Sequence, residues 1–144
     1  MDTTTLTADD EALVEHAIET CGHTFDPDFF GGTHVVAAAV RTADGAIYDG
    51  ASLPASTGQA STCRETVAVG SAIVDGASHD EIETCVAVDH PMPYRDGDGI
   101  HVVPPCWTCR KTLADYNEAM RVIVPVDDEN PIARAVDLLP TRTW

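Results

Sequence analysis

Apolar positions along the chain alternate between a helical spacing and a strand spacing, and each switch marks a change of element. Over residues 7–20, Leu13, Ala17 and Ile18 fall at helical spacing, and Thr7 followed by acids supplies a start signal. Cys21 and Gly22 mark the expected end of this helix. A loop carrying Asp26, Pro27, Gly31 and Gly32 follows. The runs VVAAAV (35–40) and AIYDGAS (46–52) then read as two strands, joined as a hairpin by Asp44 and Gly45. CRETVAVGSAIVDG (63–76) returns to the helical spacing and stops at Gly76. Residues 83–89 read as a third strand and residues 90–105 as a long loop. CWTCRKTLADYNEA (106–119) reads as a helix, residues 121–126 as a fourth strand, and IARAVDLL (132–139) as a short last helix.

Strands alternating with helices imply crossover connections, so the expected class is α/β, with a mixed sheet covered by helices on its faces. Neither an internal repeat nor a composition shift divides the chain, and residues 1–144 are expected to form a single domain. A chain of this length can bury a substantial core without disulfide staples.

Charge narrows the partners. The chain carries 24 acidic against 8 basic residues, a formal net charge of -16, and its one lysine is Lys111. Such a surface repels nucleic-acid phosphates and anionic membranes, which argues against long DNA or RNA as a substrate and for a small molecule. No apolar run approaches the ~20 residues of a membrane span. The acidic N-terminus does not have the pattern of a secretion signal, so a cytoplasmic protein is expected. Abundant Asp with a single Lys suits a halophilic cytosol, where salt screens the self-repulsion, the alternative being an acidic mesophilic protein.

Five cysteines, an odd number, argue for metal or thiol chemistry over a disulfide framework. Cys21 at a helix end and Cys85 in the apolar run CVAV read as structural. The other three sit in two short segments, Cys63-Arg64-Glu65 and Pro105-Cys106-Trp107-Thr108-Cys109. Cys106 and Cys109, three apart, can point their sulfurs to one place on a helical turn, and Cys63 opens the other helix with Glu65 in its first turn. Should the two helix starts meet, three thiolates converge beside a carboxylate, and helix N-termini favour the thiolate form. Three protein ligands, not four, fit a catalytic Zn2+ site with one position left for water, whose pKa zinc lowers toward ~7. Glu65 would carry the proton from that water to a ring nitrogen and then to a departing amine, which is hydrolytic deamination. Arg64 and Arg110, each directly after a ligand, are candidates to offset the negative site, or are surface arginines in salt bridges.

These segments resemble the signature of the cytidine deaminase family in its all-cysteine form: Cys-x-Glu, then Pro-Cys-x-x-Cys far downstream. VVAAAVRTADGAIYDG is similar to the family's first hairpin, CRETVAVGSAI to its first zinc helix, PPCWTCRKTLADY to its second, and DLLP (137–140) to its closing segment. The resemblance implies a three-layer α/β/α fold, zinc as cofactor, a cytosine-type aminated heterocycle such as cytidine or deoxycytidine as substrate, and a homo-oligomer, tetramer or dimer. The DLLP segment and the first zinc helix would be its contact regions.

The departures concern the substrate. Where the family usually places Asn and Glu for the ribose, this chain has Ser52 and Pro54, and neither can make the expected paired contacts. Trp107 stands where Gly is general, and His34 where a Phe commonly lines the base pocket. His34, Ser52 and Trp107 are the candidate substrate contacts. STGQASTCRE with a closing DLLP…W resembles the branch that acts on the cytosine-bearing antibiotic blasticidin S. Two other readings stay open. In one, zinc is non-catalytic, with His90 or His101 closing its fourth position. In the other, Cys106 and Cys109 act as a thiol redox pair, against which stand Cys63, Glu65 and the missing strand before the CxxC.

Overall fold

The computed structural model of the protein describes residues 1–92 and 99–141. Part of the expected loop 90–105 and the closing Trp144 lie outside the described residues. In chain order the elements are α1 (Ala8–Thr24), β1 (Val36–Thr42), β2 (Ile47–Ala51), α2 (Arg64–Val74), β3 (Ile82–Asp89), β4 (His101–Val103), α3 (Trp107–Tyr116), β5 (Arg121–Ile123) and β6 (Ile132–Arg134), with short 3-10 turns between them.

α1 starts where the sequence places it. Thr7 and Asp10 form a reciprocal cap, the Asp10 N–H donating to Thr7 Oγ1 at 3.3 Å and the Thr7 N–H to Asp10 Oδ2 at 2.8 Å. The helix runs past its expected end, through Cys21 and Gly22. Cys21 is fully buried against the sheet, and the Phe25 N–H closes the last turn on the Cys21 carbonyl at 3.1 Å. Packing of this turn outweighs glycine as a stop signal.

The strands form a mixed sheet in the order β2-β1-β3-β5-β6. β1 is antiparallel to both β2 and β3, β3 runs parallel to β5 through Thr84, Cys85 and Val86, and β6 returns antiparallel to β5. The other half of the same β3 edge, Ala87 to Asp89, pairs with β4. Among the described residues the sheet has six strands where the sequence suggested four. β4 was hidden in a loop reading because it is only three residues long, HVV. β6 was hidden in the expected last helix. Asp127 and Asp128, at φ 48° and 68°, make a tight two-residue turn that folds residues 132–134 back along β5. Only Ala135–Leu138 is helical, as a single 3-10 turn.

Alternation along the strands divides the core into two layers. Ala38 and Val40 of β1 with Cys85 and Ala87 of β3 face α2 and α3, meeting Ala68, Ala72 and Leu113. Ala37, Ala39, Val86 and Val88 face α1, meeting Leu13, Ala17 and Cys21. The result is a three-layer α/β/α fold with α1 on one face of the sheet and α2 and α3 on the other. Cys85 and Cys21 are core residues, as expected.

A buried charge fastens α1 to the sheet. Asp10, with no exposed surface, accepts from Arg121 at 2.7 Å and 2.6 Å and from Arg41 at 3.1 Å, and both arginines also reach Thr84 Oγ1. Burial alone would raise the Asp10 pKa, but the hydrogen bonds from Arg121, Thr7 and Arg41 outweigh it and hold the carboxyl well below the usual carboxylate range. No helix among the described residues is long and apolar enough to cross a membrane.

Candidate metal and catalytic site

Two helix starts meet on the α2–α3 face. Cys63 is the N-cap of α2 and Cys106 the N-cap of α3; both have extended backbone, and neither spends its side chain on capping. Pro104 and Pro105 precede Cys106, and Cys109 lies in the first turn of α3, fully buried. A glycine makes the approach of α2 possible. A Cβ on Gly50 of β2 would lie 2.2 Å from the Arg64 carbonyl oxygen and 2.5 Å from the Ala68 nitrogen, so only glycine lets the first turn of α2 lie against the strand.

The three sulfurs converge as the sequence suggests. Cys63, Cys106 and Cys109 place their Sγ atoms within 4.8 Å of one another, and Cys63 and Cys106 are 3.6 Å apart. Zinc–sulfur bonds of about 2.3 Å in a tetrahedron would set sulfurs roughly 3.8 Å apart, so the donor set fits a thiolate-bound metal. Of the three sulfurs, one is made easier to ionise and two harder. Burial, followed by the hydrogen bond to Cys106, pushes the Cys63 thiol up. Burial, followed by the charge of Glu65, pushes Cys109 up much further. Burial would also raise Cys106, but hydrogen bonds from Cys109 and Cys63 outweigh it and draw its pKa down.

Glu65 lies in the first turn of α2 and is 1 % exposed, yet neither carboxylate oxygen has an aligned hydrogen bond among the described residues. Arg64 Nε lies 2.9 Å from Oε2, close enough to neutralise it but poorly aligned to donate, and the Arg64 guanidinium also reaches the Pro104 carbonyl at 3.3 Å. Arg110 is spent on backbone, donating to the Pro105 carbonyl at 2.8 Å and reaching that of Leu138 at 3.5 Å. Of the two arginines, Arg64 therefore faces the charged groups, while Arg110 fixes the chain that leads into Cys106.

A cavity of about 320 Å³ opens beside Cys63, walled by Gly32 to Val35, Ser52 to Pro54 and Ser61 to Arg64. His34 and Ser52 are thus brought together next to the cluster, and Pro54 joins them. Trp107 is not in this wall; it is 52 % exposed at the start of α3, neither in the cavity nor packed beneath the helix. His90 stacks on Phe25 at 3.9 Å, with Nδ1 on the Pro91 carbonyl, and His101 is exposed on β4; neither joins the sulfur cluster. β4 does stand before the CxxC, so one objection to a redox pair falls, while the convergence of Cys63 on that pair remains. Sequence reasoning missed Gly50, although a glycine inside a strand pattern is a signal of close backbone approach. It also missed Thr33, whose buried Oγ1 has no partner among the described residues and left no mark in the pattern.

No protein-family model matches the chain. The blasticidin-S deaminase of Bacillus cereus is 30% identical over 142 residues, 99% of this chain and 97% of that protein. Among solved structures, a mutant cytidine deaminase of Mycobacterium tuberculosis superposes with a TM-score of 0.72 at 22% identity, covering 96% of this chain and 97% of its own. The cytidine deaminase of Burkholderia pseudomallei gives 0.68 at 22% identity, over 94% and 98%. The solved structures share the fold, and the Bacillus cereus relative shares the sequence along nearly its full length. The chain therefore belongs to the cytidine deaminase family, in company with blasticidin-S deaminase.

Proposed function

We propose that the protein is a zinc-dependent hydrolytic deaminase of a cytosine-type heterocycle, cytidine or deoxycytidine first, with zinc held by Cys63, Cys106 and Cys109 and protons carried by Glu65. The observation that carries this reading is the convergence of three sulfurs within 4.8 Å beside a buried carboxylate with no aligned hydrogen bond. A buried carboxylate whose hydrogen-bonding capacity is left unfilled is costly, and such groups gather where chemistry is done. The absence of His90 and His101 from the cluster favours three protein ligands over a closed structural site.

When bound, zinc supplies Lewis acidity that acidifies water at neutral pH. Glu65 takes a proton from the attacking water and delivers it to the ring nitrogen beside the reacting carbon. The carbon–oxygen bond forms, the carbon–amine bond breaks, and Glu65 passes the second water proton to the leaving amine. The ring keeps one proton and the oxygen, and ammonia departs, so water is consumed and no redox partner is needed. Arg64, 2.9 Å from Glu65, tempers the negative charge of carboxylate and thiolates together.

Blasticidin S is the second reading, favoured by Ser52 and Pro54 at the ribose positions and by the Bacillus cereus relative. The first reading implies nucleoside salvage, the second detoxification. We also infer a cytoplasmic homo-oligomer that acts on small molecules and not on long nucleic acid. The net charge of -16 supports the last point, and the exposed outer face of α2, with Val74 90% exposed, supports association. The same charge suits a salt-rich cytosol.

The test measures ammonia release from cytidine, deoxycytidine and blasticidin S in molar potassium chloride, with zinc content determined in parallel. Glu65→Gln is expected to lower turnover by about a thousandfold, within the usual range for losing a proton carrier, while zinc stays at the wild-type level. A Glu65→Gln protein as active as wild type would overturn the assignment.

A further inference from the structure

His34 is held in an unusual way at the mouth of the site. Its backbone lies in the left-handed region at φ 52°, a conformation uncommon for residues other than glycine, and its ring lines the cavity beside Cys63. Nδ1 is 3.2 Å from the Thr24 carbonyl. A carbonyl can only accept, so Nδ1 carries the hydrogen of that contact, and in the neutral tautomer this fixes, Nε2 is the acceptor.

The rest of the wall contains hydroxyls and carbon. Ser52, Ser61 and Thr62 supply the hydroxyls, Val35, Leu53 and Pro54 the carbon, and Arg64 is occupied by Glu65 and the Pro104 carbonyl. None of the described residues lining the cavity is Asp, Glu, Asn or Gln. A vicinal diol is gripped best by a carboxylate or amide that takes both hydroxyls at once, and no such group stands in this wall.

We infer that the cavity takes a cytosine-type ring whose substituent offers one hydrogen-bond donor to His34, with no requirement for a vicinal diol, so that His34 sets the substrate class. This rests on the deaminase reading for the ring and extends it to the substituent. A wall that offers an imidazole and hydroxyls but no carboxylate or amide distinguishes a substituent that donates from one that does not, and has no paired grip to favour ribose over a dideoxy sugar.

The experiment is binding calorimetry on zinc-loaded Glu65→Gln protein, which removes turnover from the readout. Three probes isolate the groups: cytidine, 2',3'-dideoxycytidine, which has lost the diol but keeps one hydroxyl, and 1-methylcytosine, which has none. Cytidine and dideoxycytidine are expected to bind within about threefold of each other, and 1-methylcytosine about tenfold more weakly, the worth of one hydrogen bond to a neutral group. His34→Asn should erase that tenfold difference. Asparagine tolerates the left-handed backbone and can donate to the Thr24 carbonyl, but it is too short to reproduce Nε2. His34→Gln serves as a second variant, with a longer side chain that can partly restore the difference.

A preference for cytidine over dideoxycytidine of more than tenfold would overturn the inference, as would an undiminished hydroxyl effect in folded His34→Asn protein. Failure of all three probes to bind would remove the cavity as the substrate site. Wild-type turnover of the same compounds is scored separately. Binding as expected without Glu65-dependent ammonia release would sink the deaminase reading and leave the selectivity of the cavity standing.

Discussion

Burial and the neighbouring groups push the Cys63 and Cys109 thiols up, while hydrogen bonds draw Cys106 down, so Cys106 is the easiest of the three to ionise. A metal bound by all three sulfurs must displace the thiol protons, and its affinity therefore rises with pH. Competition with a chromophoric zinc chelator should show at least about tenfold tighter binding at pH 8 than at pH 6, with proton release detectable in weakly buffered solution. Equal affinity at both values would mean that fewer than three cysteines bind. At this scale much was legible in advance. Cys-x-Glu and Pro-Cys-x-x-Cys single out, by residue type and spacing alone, the three cysteines that the fold brings together. The state of His34 was not legible, because its tautomer depends on the Thr24 carbonyl, a backbone atom ten residues earlier.

At the scale of elements, the site depends on how closely α2 lies on β2. Gly50 is where they touch, and a methyl group there would meet backbone atoms at 2.2 Å and 2.5 Å, with no flexible side chain to yield. Gly50→Ala is expected to cost about 2 kcal/mol or more, in the range for overpacking. It should also shift the start of α2, and with it Cys63 and Glu65. Urea unfolding measures the first effect, and weakening of the thiolate-to-cobalt charge-transfer band of cobalt-substituted protein measures the second. A variant with wild-type stability and an unchanged band would show that the contact yields easily. Most elements were legible from periodicity, but β4 and β6 were not. Three residues are too few for a period, and β6 exists because the turn at Asp127 and Asp128 lays it against β5.

Across the whole molecule, Asp10 joins positions that the chain separates by 31 and 111 residues, linking α1 to β1 and β5 through Arg41 and Arg121. Removing one member of a buried network strands the others, so Asp10→Asn should cost about 3–5 kcal/mol by urea unfolding near neutral pH. The sign with pH follows from a carboxyl whose folded pKa is depressed. The stabilisation is fully present above the ordinary value of 3.8 and is lost as pH falls below it toward the folded value. The difference between wild type and Asp10→Asn should hold steady from neutral pH to about pH 5 and shrink in stronger acid. A difference that shrinks above pH 5 would assign the titration to another group.

By itself the sequence determined the class of the fold, which three cysteines share one site and the sign of the surface charge. Each depends on local spacing or on composition, which survive without tertiary contacts. The tertiary structure alone decided that α1 runs through Gly22, that a third of the strands are residues first read as loop or helix, and that Trp107 stays out of the cavity while His34 enters it. These outcomes depend on contacts between distant segments. A buried methyl group, a backbone carbonyl or a missing Cβ outweighs local propensity there, and none of them leaves a periodic trace in the sequence.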